Sequence, residues 1–126
     1  VTHWIRIGAL AFAGVLAVVA APARAGDAQR GEQLYVARCG ACHAIDGNGA
    51  GPQHRGLFGR RAGSVPGFAY SDALRRSGIV WNVEALDRWL ANPNQMVPGN
   101  KMVVQLANES QDRADIIDYL GLPLDC

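Results

Sequence analysis

The sequence has 126 residues, 12 Lys or Arg against 11 Asp or Glu, 49% hydrophobic residues and 18% charged ones. That length holds one domain, and so near a balance of charge excludes a general nucleic-acid binder, which needs a basic excess. The charge is nonetheless uneven: residues 52–101 carry seven basic and three acidic side chains, whereas 102–126 carry Arg113 against five acidic ones, a polarity that can steer a partner.

Residues 1–25 stand apart. Thr2 to Arg6 form a polar start with one fixed positive charge, Ile7 to Ala20 give 14 residues without a charge, and Ala23-Arg24-Ala25 is an A-x-A cleavage site. This is the layout of a secretory signal peptide. The apolar run falls short of the ~18–20 residues of a transmembrane helix, so no stable membrane insertion is expected. The leader is expected to cover 1–25 and to be cleaved, with 26–126 forming the domain. A first residue of Val rather than Met suggests a bacterial start codon, and with the leader it points to the periplasm.

Helices are predicted towards both ends of 26–126, with a loop-rich middle. Asp27 is a good N-cap for a first helix that carries Leu34, Tyr35 and Arg38 and runs to about Cys39. Gly31 within it lowers helix propensity by ~1 kcal/mol relative to Ala, so a packing reason is expected there. Residues 44–74 are rich in Gly and Pro, a long irregular run of the kind that wraps something else. A brief helical turn is predicted over Asp72 to Arg76. Asn82 caps a second helix, with Leu86, Trp89 and Leu90 at i, i+3 and i+4, ending before Pro93. The last helix starts near Asn108 or Ser110, carries Ile116, Ile117, Tyr119 and Leu120, and stops at Gly121 as its C′ residue. No alternating strand pattern of useful length is present, and the class is all-α. So small and loop-rich a domain needs a staple or a cofactor.

The chemistry sits at Cys39-Gly40-Ala41-Cys42-His43. This is C-x-x-C-H, the attachment signature for c-type haem. Two thiols at that spacing can each form a thioether to one haem vinyl group, and the next residue offers an imidazole to one face of the iron. The other ring N–H then needs an acceptor to fix the tautomer. A thioredoxin-type C-x-x-C wants a βαβ context, which the pattern lacks. Zinc needs two further ligands, for which His54 and Cys126 are the remaining donors. Electron transfer wants a sixth iron ligand, and a thioether raises the reduction potential. Met96 and Met102 are the two methionines. Met102 ends the turn Pro98-Gly99-Asn100-Lys101-Met102, which aims a side chain inward, and His54 is a competitor. Cys126 is read as an exposed thiol, with an intermolecular disulfide as the alternative.

Together these residues resemble class I cytochrome c, the mitochondrial type and its soluble bacterial relatives, over nearly all of 26–126. The resemblance rests on Gly31 and Tyr35, Cys39 to His43, Gly51-Pro52, and Arg55 to Arg60. It continues through Pro66 to Ala73, Gly78 to Trp81, Asn92-Pro93, Pro98 to Met102 and Asp115 to Leu120. It implies a cytochrome c fold of three main helices plus short helical turns, wrapped around one covalently bound haem c attached at Cys39 and Cys42. It implies His43 and Met102 as axial iron ligands, the Pro52 carbonyl as the group that orients His43, and Arg60, Tyr70 and Trp81 as partners of the haem propionates. Gly31 and Tyr35 would meet Ile116 and Tyr119 where the terminal helices cross.

The implied function is that of a monomeric periplasmic electron carrier, not an enzyme. Its implied redox partners are a quinol–cytochrome c reductase, a terminal oxidase or a photosynthetic reaction centre. The sequence departs from the family at several places. Leu74 replaces a usual Asn, Asn100 a common Thr, Trp89 a tyrosine often found beside the methionine ligand, and Met96 a tyrosine before the Pro-Gly turn. Leu74 makes the pocket drier and points to a higher potential. Lys101 is the only lysine, so arginines take the basic role, and an acidic partner surface is expected to contact residues 52–101.

Overall fold

The computed structural model describes residues 25–124, so the expected leader up to Arg24 and the terminal Cys126 lie outside the described residues. Five helices occur in the order α1 (Ala28–Arg38), α2 (Asp72–Arg76), α3 (Val83–Ala91), α4 (Pro93–Met96) and α5 (Ser110–Leu120). Three are long and two are single turns, as the all-α reading requires. Among the described residues the nearest approach to a sheet is one antiparallel bridge between Arg61 and Val80.

Local chemistry accounts for most helix boundaries. The Asp27 carboxylate accepts from the N–H groups of Gln29 and Arg30 at 3.0 and 3.1 Å and opens α1, satisfying donors that a helix start leaves orphaned. Ser71 and Asn82 do the same for α2 and α3, accepting from Leu74 and Ala85. Asn92 ends α3 and at once caps α4, accepting from the Gln95 N–H at 3.0 Å. The turn of α4 was not expected. Pro93 was read as a stop, yet it occupies the first position of a new helix, where the missing N–H costs nothing.

The last helix begins at Ser110, one of the two starts expected. Glu109 takes the N-cap position without a side-chain bond. The preceding loop is instead held by buried Arg113, whose guanidinium donates to the carbonyls of Leu106 and Ala107 at 2.7 and 3.1 Å and to Asp87 at 2.7 Å. At the far end Gly121 stops α5 with φ −83°, not in the left-handed conformation expected of a C′ glycine. It lies against Phe58, whose ring would stand 3.6 Å from an added Cβ.

The packing reason for Gly31 is the crossing of α1 and α5. A Cβ at Gly31 would fall 1.9 Å from the Asp115 carbonyl oxygen and 3.0 Å from Tyr119 Cβ. Asp115 and Tyr119, rather than Ile116, are thus the nearest neighbours of that glycine. One turn on, the Tyr35 and Tyr119 rings lie 5.4 Å apart. Asp115 is 1% exposed and ties the crossing together. It accepts from the Asp27 N–H and the Gln111 amide, both at 2.8 Å, and pairs with Arg30. Burial pushes its pKa up, but the Asp27 N–H, Gln111 and Arg30 together carry it below the usual carboxylate value. Above this crossing Leu57, Trp81, Leu86, Trp89, Leu90, Leu106, Ile116 and Leu120 form the core.

Candidate haem site

The Cys39–His43 segment continues α1 as a tight turn. The N–H groups of Cys42 and His43 both donate to the Cys39 carbonyl, at 3.0 and 2.9 Å. Cys39 and Cys42 are unpaired thiols, Cys39 half-buried and Cys42 exposed, and burial pushes the Cys39 thiol up to about 11. Both residues line an apolar cleft with about 1210 Å³ of empty space, its open mouth included.

His43 stands on the wall of this cleft. Its Nδ1–H donates to the Pro52 carbonyl at 2.8 Å, the acceptor expected at that residue. A carbonyl can only accept, so the proton sits on Nδ1 and the Nε2 lone pair is left for a metal. Burial lowers the pKa of this imidazole against a smaller opposing effect of Pro52, and the neutral form is favoured. The chain also passes very close to the ring. A Cβ at Gly51 would lie 2.3 Å from Cε1 and 2.6 Å from Nδ1 and Nε2, so only glycine fits.

The three candidates for a sixth ligand separate by position. Met102 lines the cleft, and its sulfur accepts from the Trp89 indole N–H at 3.1 Å. Asn100 sets the turn before it, its side chain accepting from the Met102 N–H at 2.7 Å and donating to the Val97 carbonyl at 2.8 Å. Met96 lies elsewhere, in a shallow depression with Ala73, Ile79 and Arg88. His54 borders the cleft but stacks on His43, ring centroids 4.2 Å apart and planes 18° apart, which places it beside that imidazole and not across the cleft from it. Among the described residues no cluster of three or more His, Cys, Asp or Glu could hold a zinc ion.

Arg60, Tyr70 and Trp81 also line the cleft. The bridge brings Arg60 and Trp81 together, the Trp81 N–H donating to the Arg60 carbonyl at 3.0 Å. The Arg60 guanidinium donates to the carbonyls of Arg55 and Gln53 at 2.9 and 2.8 Å and meets no carboxylate among the described residues. Burial lowers its pKa against a smaller opposing effect of Tyr70. The Trp81 indole N–H has no hydrogen-bond partner among the described residues, and the Tyr70 hydroxyl accepts from the Val65 N–H at 3.3 Å.

These observations fit the cleft to a haem. It offers two thiols at the attachment spacing, a neutral imidazole with its metal-binding nitrogen free, a thioether, and an uncompensated guanidinium for an acidic substituent. Trp89 stands out in the sequence as a departure from the family, but its bond to Met102 is not encoded locally. His54 is legible as a ligand candidate, and its place two residues after Pro52, close to His43, is the signal that the two rings can meet.

Helices wrapped around such a cleft define a c-type haem protein, and comparison with known proteins agrees. A family model described as cytochrome c matches residues 28–121. The chain is 44% identical over 100 residues to cytochrome c2 of Rhodomicrobium vannielii, covering 77% of this chain and 79% of that protein. It is 43% identical over 98 residues to cytochrome c of Cochliobolus lunatus, covering 75% and 91%. Among solved structures, cytochrome cH from Methylobacterium extorquens matches with a TM-score of 0.72 and 45% identity, over 75% of this chain and 97% of that one. The chain belongs to the cytochrome c family, electron carriers rather than enzymes, which hold haem c covalently through the motif that Cys39 and Cys42 supply.

Proposed function

We propose that this protein is a periplasmic single-electron carrier whose haem iron is ligated by His43 and Met102. The observation that carries the reading is that both side chains border one apolar cleft, each with its donor atom set by a named hydrogen bond. When bound, haem supplies one-electron iron chemistry, and a filled sixth position suits transfer without substrate binding. Cys39 and Cys42 would hold the group, and Arg60, Tyr70 and Trp81 would receive its propionates. The Pro52 carbonyl keeps the His43 proton on Nδ1, and the apolar walls exclude water.

The domain boundary is read at Ala25–Gly26. The Asp27 N–H bond to Asp115 supports it, as does the close approach of Gly26, where a Cβ would lie 2.4 Å from the Ala114 carbonyl oxygen. No helix among the described residues is long and apolar enough to cross a membrane. Arg61, Arg76, Arg88 and Lys101 form no ion pair among the described residues, so residues 52–101 keep free basic groups for an acidic docking face. The partner is then a membrane redox complex such as a quinol–cytochrome c reductase, a terminal oxidase or a photosynthetic reaction centre, met transiently by a monomer and more slowly as salt rises.

The test is the near-infrared spectrum of the ferric protein. A methionine-sulfur-to-iron charge-transfer band, lost in Met102→Ala, is expected. High-spin ferric bands in the wild type would overturn the reading in favour of a catalytic or sensing haem.

A further inference from the structure

His54 has no part in the reading above, yet it is among the most constrained side chains bordering the cleft. Its N–H donates to the Ala44 carbonyl and its own carbonyl accepts from Leu57, both at 3.0 Å, so the backbone cannot carry the ring away. The ring stacks on His43, and its Nδ1 is hydrogen-bonded to the Tyr35 hydroxyl at 3.0 Å. Tyr35 is buried against Tyr119 of α5. Burial raises the phenol pKa, so it stays protonated. It has no other hydrogen-bond partner among the described residues, so its O–H donates to His54 Nδ1 and the His54 proton sits on Nε2.

The Pro52 carbonyl holds one atom of the His43 ring and the backbone at Gly51 closes on it, while the stacked His54 ring holds its flat face. We propose that His54, held by Tyr35, is a positioning residue for His43 that fixes the orientation of the ligand ring and sets the reduction potential from the proximal side. The inference rests on His43 being an iron ligand. Removing a polar group beside the ligand disfavours the more highly charged ferric state, so loss of His54 raises the potential.

The test uses the haem-loaded full chain and the variants His54→Leu, His54→Phe and Tyr35→Phe. All three should keep the methionine near-infrared band. His54→Leu should raise the midpoint potential and shift the paramagnetic proton resonances of the His43 ring. His54→Phe, which keeps a flat face but loses polarity, should raise the potential with the ring resonances little moved. Tyr35→Phe should produce a smaller rise, and in the double variant Tyr35→Phe/His54→Leu it should add nothing to His54→Leu alone. A potential that stays fixed or falls while the band persists overturns the proposal, as do strictly additive effects of Tyr35 and His54. Absence of the band from the wild type would instead strike at Met102 ligation. If His54→Leu does not fold, His54→Phe and Tyr35→Phe decide.

Discussion

Gly31→Ala puts one methyl group into the crossing of α1 and α5. The added carbon would meet the Asp115 carbonyl oxygen at 1.9 Å and its carbon at 2.5 Å. Both are backbone atoms and cannot rotate away. Restoring ordinary contact needs the helices to part by about 1.5 Å. That movement strains the bonds from the Asp27 N–H and Arg30 to buried Asp115 and opens the Tyr35–Tyr119 contact. Overpacking of this kind costs ~1–3 kcal/mol, and weakened bonds to a buried carboxylate cost a further ~1–3 kcal/mol. Against these, Ala is the better helix former by ~1 kcal/mol. The net loss is ~1–5 kcal/mol, to be set against the ~5–15 kcal/mol that holds a typical domain. Guanidinium unfolding of the haem-loaded protein, followed by far-ultraviolet circular dichroism, reads it as a lower midpoint. Gln33→Ala on the exposed side of α1 should leave the midpoint almost unmoved. A Gly31→Ala protein as stable as wild type would refute the close crossing.

Two further outcomes follow from the same geometry. Asp115 has a folded pKa below its unfolded one, so its contribution to stability is complete above the ordinary carboxylate value of ~3.9 and is lost as pH falls towards the folded value. The stability gap between wild type and Asp115→Asn should therefore be widest near neutrality and close on acidification, and a gap independent of pH in equilibrium unfolding would contradict the ion-pair account. Leu74 lines the cleft as an apolar residue. Leu74→Asn should lower the midpoint potential in redox titration, and a fixed or higher potential would count against the drier-pocket argument.

What could be read in the sequence was what chemistry dictates locally. Asp27 and Asn82 announce helix starts because their side chains bond to nearby N–H groups, and Leu86, Trp89 and Leu90 announce a buried face through their spacing. C-x-x-C-H carries its chemistry in consecutive residues. What could not be read depends on residues distant in sequence. The start of α5 is held by Arg113 reaching back to Leu106 and across to Asp87, which no capping rule encodes. Gly121 has the sequence of a left-handed stop, but it ends α5 at φ −83°, where its neighbours, Phe58 among them, lie at ordinary contact distance from an added Cβ. Pro93 was ambiguous by nature, since proline ends one helix and can open another. Arg60 could be matched to a propionate position by resemblance, but its lack of a carboxylate partner emerges only once the bridge to Val80 is formed.

The central claim is that this cleft exists to carry a haem bonded to Cys39 and Cys42, and extraction of the purified protein with acidified acetone tests it most directly. The pigment should stay with the polypeptide, whose mass should exceed that of the chain by one haem, and Cys39→Ala/Cys42→Ala should release it. A colourless wild-type protein, or pigment passing wholly into the acetone, would contradict the account.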